Sequence, residues 1–429
     1  METSYIALII IGVMVILYIT EVLPIATTSI LACLALAVFG VIPFTVALGG
    51  FGRDIVFLII GMVIVGDALF ETGVAELIGR SIISLVGTNE RKFIGALAVV
   101  IIPISAFLSN TATVAMTLPI AASSISNSGG KLKKKDIYMI IGLISVVGGG
   151  LTLVGSTPQL IANDLIISSG LRPIGFFELA LIGAPIVLLL IVYIMTFGHG
   201  YKKKIFNFPE ADDYEHAMHN EKSNEPVPKT KVQIFRMFVA VAVLFFCVVA
   251  FIVGLWSLGV VAMVGAAICI ITGCISQQAV FRKMNWTTVV IMGCSFGIAA
   301  GLEYSGAGIM IAHGMINLLG DAISPWLLAS VLAFAAVLFT NFMSSTSTAA
   351  LLIPIAAIVA NELGYDVRSV VIAVAIAANI GYATPISTPP ITMTLIGGYR
   401  FMDYVKFGGL FNLMAYVLVI LLFPIFLNL

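Results

Sequence analysis

The sequence carries little charge. Of its 429 residues, 10% are Asp, Glu, Lys or Arg and 60% are hydrophobic, and the mean hydropathy is +1.15. Soluble domains carry about 25% charged residues, so this composition excludes a soluble globular protein. It predicts an all-α integral membrane protein with many spanning helices. The 21 basic and 21 acidic residues balance, which gives no electrostatic reason to expect nucleic acid as a partner.

Motifs for catalysis or metal clusters are also missing. The five cysteines lie singly in apolar segments without a Cys-x-x-Cys pair, which argues against a disulfide framework and predicts small packing residues. The sequence has no Walker loop, so this chain is not expected to hydrolyse ATP. It has no nucleophile or paired-carboxylate arrangement in a supporting context. We therefore predict neither an enzyme nor a bound cofactor.

Apolar runs of membrane-spanning length recur from end to end. Two further apolar stretches, 93–125 and 325–361, are too long for one crossing and too short for two, and each is predicted to be a re-entrant hairpin. The amphipathic segments 74–90 and 307–322 are predicted to lie at the interface. The predicted crossings are ten, at 4–20, 22–41, 54–71, 136–168, 175–197, 233–254, 257–276, 286–304, 367–397 and 404–427.

The distribution of basic residues predicts the orientation. If both termini lie outside, 18 of the 21 Lys and Arg residues fall on the inner side, and only Arg53, Arg172 and Arg368 fall outside. This asymmetry follows the positive-inside rule. We expect a multi-pass protein of the plasma (inner) membrane, in contact with membrane lipid, with the polar segment 198–232 as a cytoplasmic linker.

The two sides of this linker repeat each other. "FLSNTATVAMTLPIAA" (107–122) aligns with "FMSSTSTAALLIPIAA" (342–357) at nine identical positions of sixteen, and "GSTPQL" (155–160) aligns with "ISTPPI" (386–391). Residues 1–197 and 233–429 each hold five crossings and one hairpin. Because five is odd, the second copy is inverted relative to the first. Inverted repeats with broken helices are typical of secondary transporters.

Four polar interruptions lie at predicted membrane depth. Non-helical backbone survives there only if it is buried or lines a cavity. Half-helices that begin at such breaks favour an anion at their N-termini. Freed carbonyls with Ser, Thr and Asn oxygens suit a hard cation such as Na⁺. The interruptions are the hairpin tips at 109–111 and 344–346 and the breaks at 148–158 and 379–390, and none contains Lys or Arg.

These motifs, "SNTATVAMTLPI", "GSTP", "SSTSTAALLIP" and "STPPITMTLIGGYRFMDYVKFGG", together resemble the divalent anion/sodium symporter family of the ion transporter superfamily. The resemblance covers nearly the whole chain. It implies an elevator-type transporter with a scaffold domain and a transport domain, and a homodimer formed through the scaffold. It implies transport of a small dianion, such as a di- or tricarboxylate or sulfate.

The resemblance also implies which residues form the binding sites. The substrate contacts would be Ser109, Asn110, Thr111, Thr157, Pro158, Ser344, Ser345, Thr346, Thr388 and Pro389. A first Na⁺ site would use Ser105, Ser109, Asn110 and Ser156. A second would use Thr340, Met343, Ser345 and Ser387, partly through backbone carbonyls.

The sequence departs from the family pattern at several of these positions. Ser345 stands where the second tip is expected to have Asn, and Gln159 and Ile391 follow the two Thr-Pro breaks in place of Asn. The main hypothesis is a transporter of a C4-dicarboxylate such as succinate or malate, coupled to Na⁺ or to counter-anion exchange. The alternatives are a permease for sulfate, citrate or arsenite, a Na⁺/H⁺ antiporter, and, from another class, a channel or receptor.

Overall fold

The protein is all-helical in the parts that the structure describes. A computed structural model describes residues 3–20, 22–74, 76–77, 89–126, 128–208, 230–284, 286–319 and 324–426. These ranges contain α-helices and short 3₁₀ turns and no β-strand. Most of the predicted interfacial segment 74–90 and most of the linker 198–232 lie outside the described residues.

The described part of the first half contains ten α-helices. The last two, α9 and α10, meet at a bend of 59°. The helices are α1 Thr3–Thr20, α2 Ile25–Val38, α3 Phe44–Ala47, α4 Asp54–Glu71, α5 Glu90–Phe107, α6 Asn110–Ser126, α7 Lys134–Gly149, α8 Thr157–Ser168, α9 Ala180–Met195 and α10 Phe197–Ile205.

The described part of the second half also contains ten. Five of them, α11, α14, α16, α17 and α20, are long and apolar enough to cross a membrane on their own. The helices are α11 Lys231–Val253, α12 Leu258–Ile271, α13 Gln277–Lys283, α14 Trp286–Tyr304, α15 Ala307–Leu319, α16 Pro325–Phe342, α17 Ser345–Glu362, α18 Val367–Ala378, α19 Pro389–Thr392 and α20 Phe401–Phe426.

All four predicted interruptions separate helices. The hairpin helices part at residues 108–109 and 343–344, and the broken crossings part at 150–156 and 379–388. Local chemistry accounts for the restarts: Ser344 Oγ caps α17 by accepting from Ser347 N at 3.1 Å, and prolines occupy the first turns of α8 and α19.

The second break differs from the symmetric expectation. After the first break, α8 resumes for 12 residues. After the second, α19 lasts four residues and gives way to a 3₁₀ turn, Met393–Gly397. Gly398 then adopts a left-handed conformation, with φ of 83°, which ends the helix. The predicted crossing 367–397 is therefore not completed by a regular half-helix.

Two sets of helices pack mainly among themselves. The first set, termed the α4 group, contains α1–α4 and α11–α15, and the second, termed the α7 group, contains α5–α10 and α16–α20. In the α4 group, a Cβ on Gly61 would lie 2.5 Å from the backbone carbon of Ala262. The helices α4 and α12 can therefore pack this closely only because Gly61 has no side chain. The two groups meet where α14 and α15 pack on α17 and where α4 and α14 touch α8.

The helix pairs recur in matched form in the two halves. The pairs α1–α2 and α2–α14 correspond to α11–α12 and α12–α4, and the pairs α5–α7 and α6–α7 correspond to α16–α18 and α17–α18. The restarted helices cross over between the halves: α8 packs on α17 and α18, and α19 packs on α6 and α7. Each hairpin therefore lies against the broken crossing of its own half and the restarted helix of the other half.

The described ion pairs sort into two sets that match the predicted sides of the membrane. Arg53 pairs with Asp164, and Arg368 pairs with Glu178, all four near predicted outer ends of crossings. On the predicted inner side, Lys283 pairs with Glu71. Buried Lys202 pairs there with Glu90 and donates to the backbone oxygen of Asp136 at 2.9 Å.

Candidate functional site

The first hairpin tip brings oxygen atoms of three side chains together. Ser105 Oγ lies 2.5 Å from Asn110 Oδ1 and 2.9 Å from Ser145 Oγ. It also lies 2.7 Å from the backbone oxygen of Ser145, while Ser145 Oγ lies 3.0 Å from that of Asn110. Two hydroxyl protons cannot satisfy all these lone pairs at once. Buried, neutral oxygen atoms that outnumber the available donors are typical ligands of a hard cation.

Glycines of the first break make room for this tip. A Cβ on Gly149 would lie 2.5 Å from Asn110 Oδ1 and 2.6 Å from its Nδ2. A Cβ on Gly155 would lie 3.0 Å from the backbone oxygen of Ala106, on the other side of the tip. Thr152 Oγ1 donates to the same oxygen of Ala106. The glycine-rich break thus allows the backbone of 149–155 to close around Asn110.

Two other residues predicted for the first cation site, Ser109 and Ser156, make different contacts. Ser109 is exposed at the tip, and its backbone oxygen accepts from the Thr113 backbone N–H at 2.9 Å. The Ser156 hydroxyl donates to Asn379 Oδ1, which belongs to the second break. The structure therefore joins Ser105 and Asn110 directly, and it uses the Ser156 side chain to connect the two halves.

The second tip shows a looser version of this arrangement. Thr340 Oγ1 donates to the backbone oxygen of Ala378 at 2.8 Å, and Ser387 Oγ donates to that of Gly381 at 2.6 Å. A Cβ on Gly381 would lie 3.1 Å from both Thr340 Oγ1 and Ser387 Cβ. Thr340 and Ser387 thus both lie close to Gly381; their role in a cation site stays a prediction.

The other two predicted ligands lie at the tip itself. Met343 is fully buried at the end of α16, with extended backbone (φ −130°, ψ 173°) that turns the chain toward α17. Ser345 is half-buried in the first turn of α17. Its short side chain takes the place that Asn110 has in the first tip, where the longer amide reaches Ser105. The second tip consequently gathers fewer side-chain oxygens.

The predicted substrate residues lie at four helix starts. Asn110 and Thr111 open α6, Thr157 and Pro158 open α8, Ser344 to Thr346 open α17, and Thr388 and Pro389 open α19. Ser109 and Pro389 are exposed, and Thr388 is 6% exposed with an Oγ1 that has no hydrogen-bond partner among the described residues. Unpaired N–H groups at such starts favour an anion. Since α6 packs on α19 and α17 packs on α8, each hairpin helix lies against the restarted helix of the other half.

Sequence reasoning did not single out Ser145 or Asn341. Ser145 completes the oxygen cluster of the first tip. Asn341 Oδ1 accepts from the Ala383 backbone N–H at 2.9 Å, its Nδ2 donates to Val337 O at 2.7 Å, and its backbone oxygen accepts from Thr384 Oγ1 at 2.5 Å. Asn341 thus holds the second break against α16. The only sequence signal was a polar residue in an apolar helix just before a predicted break, with Ser145 standing alone and Asn341 following Thr340.

Comparison with known proteins agrees with this architecture. Residues 15–370 match the family model described as "CitMHS: Citrate transporter". The chain belongs to this citrate transporter family. The predicted membership of the ion transporter superfamily is confirmed, and since the family and its relatives are transporters, so is the prediction that the chain is not an enzyme.

Curated relatives cover nearly the whole chain. An uncharacterized transporter of Haemophilus influenzae is 27% identical over 424 residues, which are 94% of this chain and 88% of the relative. The sodium-dependent dicarboxylate transporter SdcS of Staphylococcus saprophyticus is 24% identical over 433 residues, or 94% and 82%. The relative of that name from Staphylococcus aureus is 23% identical with the same coverage.

Two solved structures share the fold at low identity. MtrF of Neisseria gonorrhoeae, described as one of a class of antimetabolite efflux pumps, has a TM-score of 0.61 and 13% identity, over 99% of this chain and 95% of MtrF. The Alcanivorax borkumensis YdaH transporter has a TM-score of 0.57 and 13% identity, over 90% and 88%. These likenesses show an all-helical membrane-transporter fold for this chain, which is a secondary transporter of the citrate transporter type.

Proposed function

We propose that this transporter moves a small dianion, a C4-dicarboxylate such as succinate or malate, together with Na⁺. The observation that carries the proposal is the first tip, where Ser105, Asn110 and Ser145 gather neutral oxygens beside the start of α6. A cation held by these oxygens lies next to helix N–H groups that attract an anion. Asn110 then serves both ions, with Oδ1 toward the cation and its helix start toward the anion.

Charge balance explains why the two ions travel together. The four polar stretches contain no Lys or Arg, so protein charge does not neutralise a bound dianion. Moving a negative charge inward against the membrane potential costs about 2.3 kcal/mol per charge per 100 mV. Co-bound Na⁺ removes that cost, and exchange for an internal anion would avoid it. The relatives named sodium-dependent dicarboxylate transporters support the first route.

We also propose the elevator mechanism, with the α4 group as scaffold and the α7 group as the moving part. The separate packing of the two groups supports this division, as does the matched pairing of helices in the two halves. The repeats 1–197 and 233–429 would then be inverted, with 198–232 and the inner ion-paired cluster on the cytoplasmic side of the plasma membrane and both termini outside.

A homodimer through the α4 group is part of the same proposal. Within an 18-residue apolar stretch of its helix α11, only 28% is buried inside the chain, and Phe238 and Phe245 are 72% and 69% exposed there. A partner subunit or lipid would cover this face. Cross-linking of a Phe238→Cys variant in native membranes tests the choice: a disulfide-linked dimer supports the partner, and monomer alone points to lipid.

Uptake of labelled succinate into proteoliposomes tests the proposed substrate and coupling. Separate arms contain external Na⁺, external K⁺, and internal unlabelled dicarboxylate. We expect saturable uptake that requires Na⁺ and is inhibited by malate. Uptake that requires only internal dicarboxylate would contradict symport, and uptake unaffected by any dicarboxylate would contradict the substrate.

Citrate is the second candidate, because the family model carries that description. In the same assay, citrate and sulfate are added as unlabelled competitors, followed by direct uptake of labelled citrate. If citrate competes with higher affinity than succinate and is itself taken up, the dicarboxylate assignment is replaced by the tricarboxylate. If neither citrate nor sulfate competes, the dicarboxylate assignment stands.

A further inference from the structure

The chain bends sharply where α9 ends on the predicted inner side of the membrane. α9 and α10 meet at an angle of 59°. Leu188 and Val192 of α9 are exposed, and Phe197, the first residue of α10, is 59% exposed. The proposed dimer contact covers α11 rather than α9, so these apolar side chains contact lipid. α10 therefore leaves the membrane on a lipid-facing side of the α7 group.

Two exposed lysines lie at the other end of α10. Lys203 and Lys204 follow Phe197 by six and seven residues, which is about 10 Å along a helix. If α9 runs along the membrane normal, the 59° bend leaves roughly 5 Å of this rise along the normal. The headgroup layer of one leaflet is about 5–8 Å thick. With Phe197 at the edge of the hydrocarbon, both lysines thus lie at headgroup level.

The nearby carboxylate of Glu90 is shared among several groups. Glu90 lies at the start of α5, and its oxygens are 3.5 Å from His199 Nδ1 and 3.8 Å from Lys203 Nζ. It also pairs with Lys202, which is fully buried. Because Lys202 takes the short contact, Glu90 does not neutralise the exposed lysines of α10.

The start of α5 adds further positive charge beside α10. Arg91 and Lys92 follow Glu90 directly and are both exposed, and the charge of Arg91 acts on His199. Among the residues that the structure describes, neither Arg91, Lys92 nor Lys204 has a carboxylate partner. Five basic residues therefore face two acidic ones, a net charge of +3; they are Arg91, Lys92, Lys202, Lys203 and Lys204, against Glu90 and Asp136.

We propose that Lys203 and Lys204, together with Arg91 and Lys92, bind the phosphate headgroup of an anionic phospholipid of the inner leaflet, while Phe197 contacts its acyl chains. Basic residues at the membrane surface attract anionic lipid, and an aromatic side chain above a basic end is typical of a helix at the interface. The positive-inside rule accounts for the side on which these residues lie. It does not account for their convergence from two helices at a lipid-facing bend.

Lipid binding to the purified protein in a neutral detergent tests the inference, without succinate or Na⁺. The probes are phosphatidylglycerol, phosphatidylcholine with the same acyl chains, and glycerol phosphate as a free headgroup. Bound lipid is counted by native mass spectrometry, and the rise in unfolding temperature is measured at low and high ionic strength.

The variants separate the headgroup contact from the acyl-chain contact. Lys203→Gln/Lys204→Gln removes two charges of the cluster, and Lys203→Arg/Lys204→Arg keeps them. The matched control Lys231→Gln/Arg282→Gln removes two exposed charges elsewhere on the predicted inner side. Phe197→Ser removes the apolar contact, with Phe281→Ser, at a side chain that is 60% exposed, as its control.

We expect the wild type to bind phosphatidylglycerol in preference to phosphatidylcholine, and more weakly at high ionic strength. Lys203→Gln/Lys204→Gln should weaken that binding by about tenfold or more, whereas the Arg pair and the Lys231/Arg282 control should bind as the wild type does. Phe197→Ser should weaken binding of the lipid, and Phe281→Ser should not.

Three results would overturn the inference. Equal binding of the two lipids by the wild type would show that charge does not select the ligand. An equal loss in the Lys203/Lys204 and Lys231/Arg282 variants would show only a general effect of net charge. Glycerol phosphate binding as tightly as the lipid, with no effect of Phe197→Ser, would indicate a site for a free phosphate compound. None of these outcomes depends on whether the protein transports dicarboxylates.

Discussion

Gly149→Ala is a direct probe of the first tip, because it adds one methyl group without removing any ligand. The new Cβ would lie 2.5 Å from Asn110 Oδ1, 2.6 Å from Asn110 Nδ2 and 2.8 Å from the backbone oxygen of Gly155. Real carbon atoms do not sit that close to such neighbours, so the amide must move. Since Asn110 Oδ1 lies 2.5 Å from Ser105 Oγ, the movement separates these two oxygens.

The expected magnitude follows from the contact that is lost. A displaced hydrogen-bond or cation-coordinating group costs about 1–3 kcal/mol, which corresponds to roughly 5- to 150-fold in binding. We therefore expect Gly149→Ala to raise the Na⁺ concentration for half-maximal succinate uptake by about tenfold or more. Proteoliposome uptake at a series of Na⁺ concentrations measures this shift.

Gly12→Ala in α1 is the matched control, because a Cβ there would meet no atom within 4 Å. Ala is favoured over Gly within a helix by about 1 kcal/mol, so this variant should be as stable as the wild type or more stable, with unchanged Na⁺ dependence. If Gly149→Ala also keeps wild-type Na⁺ dependence, the oxygen cluster of Ser105, Asn110 and Ser145 is not a cation site.

Four further predictions concern other parts of the molecule. Asn110→Ala should abolish uptake while leaving the unfolding temperature within a few degrees of the wild type, and normal uptake in that variant would remove Asn110 from the site. Ser345→Asn should lower the Na⁺ concentration needed for uptake, because the longer amide supplies the oxygen that the second tip lacks; an unchanged or higher requirement would contradict that role. Glu90→Gln should destabilise the protein by about 3 kcal/mol, because fully buried Lys202 loses its counter-charge, and Lys202→Met in the same chain should restore stability. Burial already lowers the pKa of Lys202, so the unfolded chain keeps the Lys202 proton to higher pH than the folded chain does. The Glu90→Gln protein should therefore gain stability as pH rises from the lowered folded pKa toward the unfolded value of about 10.4. A loss of stability that does not depend on pH would contradict this cause. Asp164→Asn should change the rate of succinate exchange by up to about fivefold, because the Arg53–Asp164 ion pair joins the α4 group to the α7 group. That pair is worth about 1 kcal/mol, since Arg53 is 38% exposed. Arg53→Gln should have the same effect, and additive effects in the double variant would show that the pair does not act as a unit.

The sequence was sufficient to locate the breaks, because their physical signals are local. Pro158 and Pro389 cannot continue a preceding helix. A polar side chain without a hydrogen-bond partner in a lipid-facing helix destabilises the protein, so a cluster of such residues indicates a break or a binding site. The positions of Ser109 and Ser344 in the structure therefore agree with the predicted tips to within a residue. The Arg53–Asp164 and Lys283–Glu71 ion pairs were not predicted, because the charge count assigns each basic residue a side of the membrane but no partner.

The side-chain partners inside the site were less predictable, because they depend on contacts between distant segments. Ser145 meets Ser105 across 40 residues, and Ser156 meets Asn379 across 223. A single serine in an apolar helix can equally well pack against a neighbouring helix. The resemblance to the family placed Ser156 in the first cation site, whereas the structure directs its hydroxyl to the other half.

The most direct test of the central claim is accumulation of labelled succinate in proteoliposomes driven by an inward Na⁺ gradient alone. Wild-type protein should concentrate succinate above its external level, the accumulation should collapse when Na⁺ is equal on both sides, and Asn110→Ala should show none. Equilibration without accumulation, or accumulation that persists in K⁺, would contradict coupled transport of Na⁺ and a dicarboxylate.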